Sequence, residues 1–369
     1  MEDAARNNDV VDLSVWLQWY AFDAIGNITF QRKFGFMERK EDVDEMIEGI
    51  DLGLQYVKVI GQFPNLHPYI MGNRFWMFFL KRFANLKDTL SKFMVITADQ
   101  ITLYDNDTDK HQRTDFLAQI RSKKDKSGRM THRDEMNHLS NNLLAGSDTT
   151  AISLRACFYY LIKTPHAYEK LVQEIFEANS RGRLSPFVTY DESLHLPYLQ
   201  SVIKEALRMH PGVGFPLERY VPSGGRILCG YFVPAGTNVS ISAPVIHQNQ
   251  TIFGADADTF RPERWIEASA EQLKIMDRAM LHFGYGTRTC IGKNISLMEM
   301  GKFIPQVLRH FHLQWASPNT EWTTNAAWFW KQSDILHFNA KLTQLGSKHQ
   351  PNELNQPSKS DPPALTMAG

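Results

Sequence analysis

The stretch from Thr131 to Pro165 constrains the fold more than any other part of this sequence. It contains no proline before Pro165, and its first residues, Thr131 and Asp134, have the T-x-x-D spacing of a helix capping box. In such a box each side chain accepts a hydrogen bond from a backbone N–H that has no partner within the helix. The stretch therefore predicts one unusually long helix, which would cross the whole domain.

The remaining sequence predicts a helix-rich first half and short strands after about residue 210. Apolar residues recur at helical spacing from Leu13 to Ala24, and several later segments repeat this pattern. A further helix is predicted over residues 196–210 and is ended by Pro211, whereas residues 219–242 alternate short apolar runs with Gly and Pro turns. The predicted class is α+β, mainly helical.

The domain organisation follows from composition along the chain. Residues 1–345 show no internal repeat and no clear interdomain linker, so they are predicted to form one mixed domain. Residues 346–369 contain four prolines among polar residues, a composition that buries too little apolar surface to offset the entropy lost on ordering. This segment is predicted to be a disordered tail.

Composition excludes several classes of protein. With 369 residues, 43% of them hydrophobic, the chain can bury a large core. Lys plus Arg and Asp plus Glu are equal at 40 each, so no overall basic field attracts nucleic acid. Three widely spaced cysteines argue against a disulfide framework or a zinc site and indicate an intracellular, reduced chain. The opening residues predict neither a signal peptide nor a membrane anchor.

The segment from Phe283 to Gly292 carries the clearest chemistry. It reads FGYGTRTCIG, and the residues after it have the apolar spacing of a helix that begins just after Cys290. At a helix N-terminus the dipole and the free backbone N–H groups favour a thiolate, while glycines let the backbone approach a flat ligand closely. These are requirements for a metal-ligating thiolate.

Other interpretations of Cys290 have less support from its neighbours. A single cysteine in a globular chain is most often a small buried hydrophobic residue. A phosphatase-type cysteine needs an arginine soon after it, but none occurs before Arg309. A dinucleotide-binding G-x-G-x-x-G motif fails because Thr289 replaces the third glycine.

The spacing F-x-x-G-x-R-x-C-x-G resembles the haem-binding loop of the cytochrome P-450 superfamily. Its positions are filled by Phe283, Gly286, Arg288, Cys290 and Gly292. The resemblance implies the cytochrome P-450 fold without its N-terminal part, with haem b (iron protoporphyrin IX) as cofactor. Cys290 would be the axial iron ligand, Arg288 would pair with a haem propionate, and Phe283 would pack beside the cysteine.

A second pattern lies in the segment Glu205-Ala-Leu-Arg208. Its i, i+3 spacing places both charges on one helical face, and an isolated pair of this kind is usually an exposed ion pair worth about 0–1 kcal/mol. Residues 260–265, FRPERW, resemble the second signature of the cytochrome P-450 family. The resemblance implies that Glu205, Arg208 and Arg264 form a buried charge network with a structural role.

A third pattern, AGSDTT at residues 145–150, lies inside the predicted long helix. Gly, Ser, Asp and Thr there cost about 2–4 kcal/mol of helix stability relative to alanines. By itself the segment also fits a break, with Asp148 or Thr149 capping a second helix. It is similar to the family's oxygen-activation motif, which implies that Gly146 makes room beside dioxygen. Thr149 would then donate a hydrogen bond to dioxygen, and Asp148 would help to deliver protons.

Several further assignments follow from the resemblance. Arg219 would face a second propionate, although an ordinary surface arginine fits equally well. The residues that would border the substrate are Asn142, Ala145, Val213 and Phe215. The aromatic run at residues 328–330 fits either the far wall of the pocket or plain core.

The resemblance implies an enzyme of eukaryotic microsomal type. The local sequences of residues 13–30 and 260–265 are most similar to those of fungal members, many of which modify secondary metabolites. Such a haem-thiolate monooxygenase inserts one oxygen atom from O2 into a small apolar organic substrate, with electrons from NADPH through a reductase. One alternative is a non-catalytic fragment that binds haem poorly. Another is a peroxide-using or rearranging relative, but such relatives typically lose the acid–alcohol pair that Asp148 and Thr149 provide here.

The resemblance covers residues from about 11 to about 345. The family's membrane anchor, early strands and W-x-x-x-R helix have no counterpart in this sequence. Met1 is therefore interpreted as the start of a shortened form or of an incomplete gene model. Full-length relatives are expected at the cytosolic face of the endoplasmic reticulum membrane, and membrane contact is expected for them only.

Overall fold

The computed structural model describes residues 2–7, 9–70, 73–83, 89–123, 130–317, 321–333 and 337–342. In these ranges the helices are α1 (Glu2–Asn7), α2 (Leu13–Phe30), α3 (Phe36–Arg39), α4 (Met46–Ile60), α5 (His67–Ile70), α6 (Arg74–Phe83), α7 (Thr89–Asn106), α8 (Phe116–Ser122), α9 (His132–Lys163), α10 (Pro165–Ser180), α11 (Tyr190–Leu194), α12 (Pro197–Met209), α13 (Ala243–His247), α14 (Gln250–Phe253), α15 (Arg264–Glu267), α16 (Ala270–Ala279) and α17 (Lys293–His310). Short 3-10 turns lie at Val43–Glu45, Pro64–Leu66, Lys110–Gln112 and Gly286–Arg288. The fold is mainly helical α+β, as predicted.

The strands are short and lie mostly after residue 210. They are β1 (Val10–Asp12), β2 (Leu217–Tyr220), β3 (Arg226–Leu228), β4 (Tyr231–Val233), β5 (Asn238–Ile241), β6 (Phe311–Trp315), β7 (Thr323–Ala326), β8 (Trp330–Ser333) and β9 (His337–Leu342). They form a three-stranded sheet in the order β1-β9-β6 and the antiparallel pairs β2-β5, β3-β4 and β7-β8. The short strands predicted over residues 219–242 are therefore confirmed.

The predicted long helix exists as one element, α9, of 32 residues. Its N-terminus has the predicted capping box, in which Thr131 and Asp134 each accept a hydrogen bond from the other residue's backbone. The alternative in which Asp148 or Thr149 caps a second helix is wrong, because α9 continues through both residues. Pro165 opens α10 at the first helical position, where its missing N–H costs nothing.

The core divides into two clusters that share α9. The first half of α9 contributes Leu139 and Leu143 to a cluster with α2, α4 and α7. The second half contributes Leu154 and Phe158 to a larger cluster with α10, α12 and α17. Because α9 belongs to both clusters, its middle turn at residues 145–150 is held on either side by packed core.

The predicted domain over residues 1–345 and the predicted tail over residues 346–369 stay predictions, because the boundary and the whole tail lie outside the described residues. Within the described residues, β1 pairs with β9, so sequence segments near the two ends of the predicted domain meet in one sheet. Among the helices in the described ranges, none has both the length and the apolar character that crossing a membrane requires.

Candidate functional site

The cysteine loop, residues 281–292, is closed on itself by a backbone hydrogen bond. The N–H of Cys290 donates to the carbonyl oxygen of Phe283 at 2.8 Å. Gly284 and Gly286 have φ values of +74° and +69°, which favour glycine. The helix α17 begins at Lys293, three residues after the cysteine, so the predicted helix start is confirmed.

The surroundings of the Cys290 thiol fit a flat ligand that carries acidic groups. The cysteine is exposed, and a Cβ on Gly292 would lie 3.8 Å from the sulfur atom. Ile291 is 98% exposed, so it offers apolar surface beside the thiol. Arg288 is exposed and forms no ion pair or hydrogen bond within the described part of the chain. A free thiol, an apolar surface and an unpaired guanidinium on one loop are the groups that a haem with its propionates requires.

Phe283 anchors this loop to the protein interior. It is half-buried and packs against the larger core cluster. The ammonium group of Lys293 lies 5.9 Å from the centre of its ring. The loop therefore has one packed end at Phe283 and one exposed end at Cys290.

The middle turn of α9 presents Ala145 and Thr149 on its accessible side. Ala145 is exposed, and the hydroxyl group of Thr149 donates to the Ala145 carbonyl oxygen at 2.7 Å. The position that a side chain of residue 146 would occupy faces α2, because a Cβ on Gly146 would lie 2.8 Å from Cδ1 of Ile25. The expectation that Gly146 makes room for dioxygen is therefore corrected: the missing side chain lets α2 pack closely against α9.

Asp148 is buried between α9, α2 and β8. Its side chain accepts a hydrogen bond from the amide of Gln18, whose own oxygen accepts from Arg155 at 2.7 Å. The ammonium group of Lys331 lies 3.8 Å from the same carboxylate oxygen, while the other oxygen has no hydrogen-bond partner within the described residues. Burial outweighs the attraction of Lys331 and raises the pKa of Asp148.

Sequence reasoning missed Gln18 and Lys331. The only signal for Gln18 was a polar residue within an apolar helical run, and Lys331 follows the aromatic run at residues 328–330 without any motif of its own. Lys331 also pairs with Asp51 of α4 at 2.6 Å. The buried carboxyl is thus linked through one lysine to a half-exposed acid.

Contacts around Gly212 bring the cysteine loop and α9 together. A Cβ on Gly212 would lie 3.7 Å from the ring of His282 and 3.8 Å from the carbonyl oxygen of Thr149. A second link joins α17 to α9, where the hydroxyl groups of Ser296 and Thr150 are 3.3 Å apart. The acid–alcohol segment and the cysteine loop are therefore neighbours in space.

The segment after Gly212 contains two of the predicted substrate-facing residues. Val213 forms an isolated antiparallel bridge with Phe329, and the ring of Phe215 lies 5.7 Å from that of Trp328. Both Val213 and Phe215 are half-buried. Asn142 lies one turn before Ala145 on α9, but its amide donates to Thr29 of α2 at 2.7 Å.

The predicted charge network is buried and fully hydrogen-bonded at its centre. Arg208 contacts both oxygens of Glu205, at 2.7 and 2.9 Å, and Arg264 contacts one of them at 3.2 Å. The indole N–H of Trp265 and the backbone N–H of Arg261 also donate to the Glu205 carboxylate. The structure thus brings together all three charged residues that the two signatures predicted.

Arg219 lies on β2 and is exposed. Its guanidinium donates to the neighbouring carbonyl of Glu218 at 2.6 Å. Its described contacts do not join it to the cysteine loop, so its predicted role stays a prediction.

Two cavities lie away from these residues. One of 220 Å³ lies beside Arg121 and Glu135, and one of 300 Å³ lies beside Arg39 and Gln100. The candidate site around Cys290, Ala145 and Thr149 lies outside both of these cavities and is indicated by the chemistry of its side chains.

A second buried acid, Glu299, lies on α17. One of its carboxylate oxygens has no hydrogen-bond partner within the described residues. Burial raises its pKa to about 8, so the side chain is mainly protonated at neutral pH.

Comparisons with known proteins identify the family of this chain. A family model described as Cytochrome P450 matches residues 1–336. Cytochrome P450 monooxygenase cicH of Emericella nidulans is 35% identical, over 87% of this chain and 63% of its own length. Cytochrome P450 monooxygenase ACRTS1 of Alternaria alternata is 36% identical, over 88% of this chain and 86% of its own length. Pisatin demethylase of Fusarium vanettenii is 36% identical, over 87% and 61%.

The chain spans less than two thirds of the length of two of these three relatives. The region matched by the family model nevertheless includes α9, the charge network and the cysteine loop. The family model covers most of the chain, and all three relatives are similar to it at more than 30% identity. The chain therefore belongs to the cytochrome P450 family.

Proposed function

We propose that this protein is a haem-thiolate monooxygenase that inserts one oxygen atom from O2 into a small apolar organic substrate. The observation that carries the proposal is the exposed Cys290 at the start of α17, held next to the acid–alcohol segment of α9. Both parts are needed for oxygen insertion, because one holds the metal and the other handles protons.

In this proposal haem b binds on the open face of the cysteine loop. Cys290 would ligate the iron through its thiolate, and Arg288 and Arg219 would neutralise the propionates. Phe283 and the glycines Gly286 and Gly292 would shape the loop that holds the cofactor. When bound, the haem iron supplies the oxygen chemistry, which an electron-donating thiolate favours.

Asp148 and Thr149 have distinct tasks in the proposed reaction. The Thr149 hydroxyl lies at the accessible surface of α9, where it donates to the Ala145 carbonyl oxygen; rotation about its side-chain bond would turn the same proton to the ligand side. The Asp148 carboxyl is buried one residue earlier in α9, and burial raises its pKa, which favours proton uptake by a group proposed to resupply the hydroxyl. Lys331, 3.8 Å away, favours the return of Asp148 to the charged form.

The remaining residues support this chemistry. Glu205, Arg208 and Arg264 hold the scaffold behind the cysteine loop. Asn142, Ala145, Val213 and Phe215 border the substrate, and Trp328 packs behind Phe215. Two relatives are named monooxygenases and one is named for demethylating pisatin, which supports an organic substrate of fungal secondary metabolism. Electrons are proposed to come from NADPH through a reductase at the endoplasmic reticulum membrane.

A second candidate is a non-catalytic fragment of the same family. The observation that favours it is that Arg219, one of the two arginines proposed to neutralise the propionates, donates to Glu218 and not to the cysteine loop. Such a fragment would keep the fold but bind haem weakly.

The reduced, carbon-monoxide-bound visible spectrum of the purified chain tests both candidates. Thiolate-ligated haem gives a Soret band at about 450 nm, and we expect Cys290→Ala to abolish it. Cys229→Ala is the matched control, because Cys229 is also exposed but lies on the turn between β3 and β4. A failure to bind haem, or a band that survives in Cys290→Ala, would overturn the monooxygenase proposal and favour the fragment.

A further inference from the structure

We infer that His247 and His282 are positioning residues, which hold the start of the cysteine loop against the end of α12. The inference rests on the proposed function, since it concerns how Cys290 is presented to the haem. Neither histidine belongs to a motif that the sequence analysis identified.

The ring of His247 is fully buried at the end of α13 and makes two backbone hydrogen bonds. Its Nδ1 lies 2.9 Å from the carbonyl oxygen of Arg208, so this nitrogen must donate. Its Nε2 lies 2.9 Å from the backbone N–H of Leu281, so this nitrogen must accept. The two partners therefore fix a neutral ring with its proton on Nδ1.

His282 makes the complementary pair of contacts. The backbone N–H of Gly212 donates to its Nδ1 at 3.3 Å. The backbone of Leu207 also lies near the ring and favours its protonated form, which opposes the effect of burial. Both partners belong to α12 or to the turn directly after it, so His282 also ties the loop to α12 as a neutral ring.

These contacts connect the buried charge network to the cysteine. Arg208 is held by Glu205, and its guanidinium donates to the backbone carbonyl of His247 at 2.7 Å. His247 then accepts from Leu281, which is two residues before Phe283. Phe283 in turn accepts from the N–H of Cys290. The network is therefore linked to the backbone of Cys290 by hydrogen bonds at each end of the short segment from Leu281 to Phe283.

Burial keeps both rings neutral. Arg208 and Glu205 face His247, whereas His247 and His210 face His282. Burial dominates at both sites and lowers the pKa to about 4 for His247 and to about 3 for His282. A neutral ring can accept from a backbone N–H, which a doubly protonated ring cannot do.

Two substitutions at His247 separate the acceptor from the donor. Asparagine places an amide near Nδ1 and leaves no group at Nε2, so His247→Asn loses the acceptor for Leu281. Glutamine reaches the Nε2 position, so His247→Gln restores an acceptor there. Tyr168→Phe is the control, because it also removes a buried acceptor for a backbone N–H, that of Leu313 in β6, outside the cysteine loop.

Hydrogen exchange of the peptide that contains Leu281, measured on the full chain without added haem, is the first readout. Losing one buried acceptor is expected to raise its exchange rate about tenfold in His247→Asn. His247→Gln should remain near the unsubstituted chain, and Tyr168→Phe should leave this peptide unchanged. Equal changes in His247→Asn and Tyr168→Phe, or no change in His247→Asn, would overturn the inference.

The carbon-monoxide spectrum of the haem-loaded variants is the second readout. A displaced thiolate should reduce the band at about 450 nm in His247→Asn and return it in His247→Gln. If no form of the chain binds haem, the proposed function fails, but the exchange measurement still decides whether the histidines hold the loop. A full 450 nm band in His247→Asn would overturn the inference independently.

Discussion

The two buried carboxylates of Glu205 and Asp148 differ in how many of their oxygen atoms have hydrogen-bond partners. Glu205 has two arginines, an indole and a backbone N–H around it, and both of its oxygens are bonded. Asp148 has one amide and one distant lysine, and one of its oxygens has no partner within the described residues. A charge with complete partners stabilises a unique arrangement, whereas an incompletely partnered carboxyl keeps the freedom to take up and release a proton.

The largest expected effect on stability comes from removing a partner of Glu205, the carboxylate whose oxygens are both hydrogen-bonded. Arg208→Ala leaves Glu205 buried with too few partners, so we expect the free energy of unfolding to fall by about 3–5 kcal/mol. Urea denaturation measures this loss, and Glu205→Gln is the second variant if Arg208→Ala does not fold. The control is Lys170→Ala, whose ion pair with Glu263 is 2.8 Å long but partly exposed, and which should cost about 1 kcal/mol or less. Equal losses of unfolding free energy in Arg208→Ala and Lys170→Ala would show that burial does not determine how much an ion pair contributes to stability.

An intermediate effect concerns Glu299, the second incompletely partnered acid. Its folded pKa of about 8 exceeds the ordinary value of 4.5, so the folded state holds a proton that the unfolded state has lost between these pH values. The stability from this group is fully present below pH 4.5 and is lost as the pH rises to about 8. Glu299→Gln should remove this dependence.

Urea denaturation of both proteins from pH 4.5 to 8 measures the Glu299 contribution. The difference in unfolding free energy between Glu299→Gln and the unsubstituted chain should grow by at most about 1.4 kcal/mol per pH unit. Parallel pH profiles would show that Glu299 is ionised in the folded state.

The smallest effect on stability is expected at Asp148. Asp148→Asn keeps an oxygen that can accept from Gln18 and removes a buried, poorly partnered acid. We therefore expect the unfolding free energy to change by about 1 kcal/mol or less, while product formation by the haem-loaded enzyme falls by about 100-fold. If the variant is as unstable as Arg208→Ala and equally active per folded molecule, Asp148 is scaffold and the comparison fails.

Local signals in the sequence were sufficient for the long helix and for the cysteine loop. A capping box and the absence of proline act within a few residues, so they predicted α9 correctly. The charge network was also predicted, because two separate signatures each contained part of it. Gly146 was misinterpreted because the side of a helix that a glycine faces depends on the packing of α2, which its own sequence does not specify.

The partners of Asp148 and the roles of the histidines were beyond sequence reasoning for the same reason. Gln18 precedes Asp148 by 130 residues, and Lys331 reaches it from β8. His247 belongs to no sequence motif, and only the three-dimensional fold shows that its ring lies between the backbones of Arg208 and Leu281. Such contacts arise from topology, and no local pattern encodes them.

The pairing of β1 with β9 has a consequence for synthesis on the ribosome. Val10 is registered against Asn339, so the first strand emerges about 330 residues before its partner. At about 5–20 residues per second, this strand waits for roughly 15–70 s in a bacterial or eukaryotic cell. Its unpaired edge is only three residues long, and short edges are poor templates for aggregation. The sheet can therefore close after the helical core has already formed.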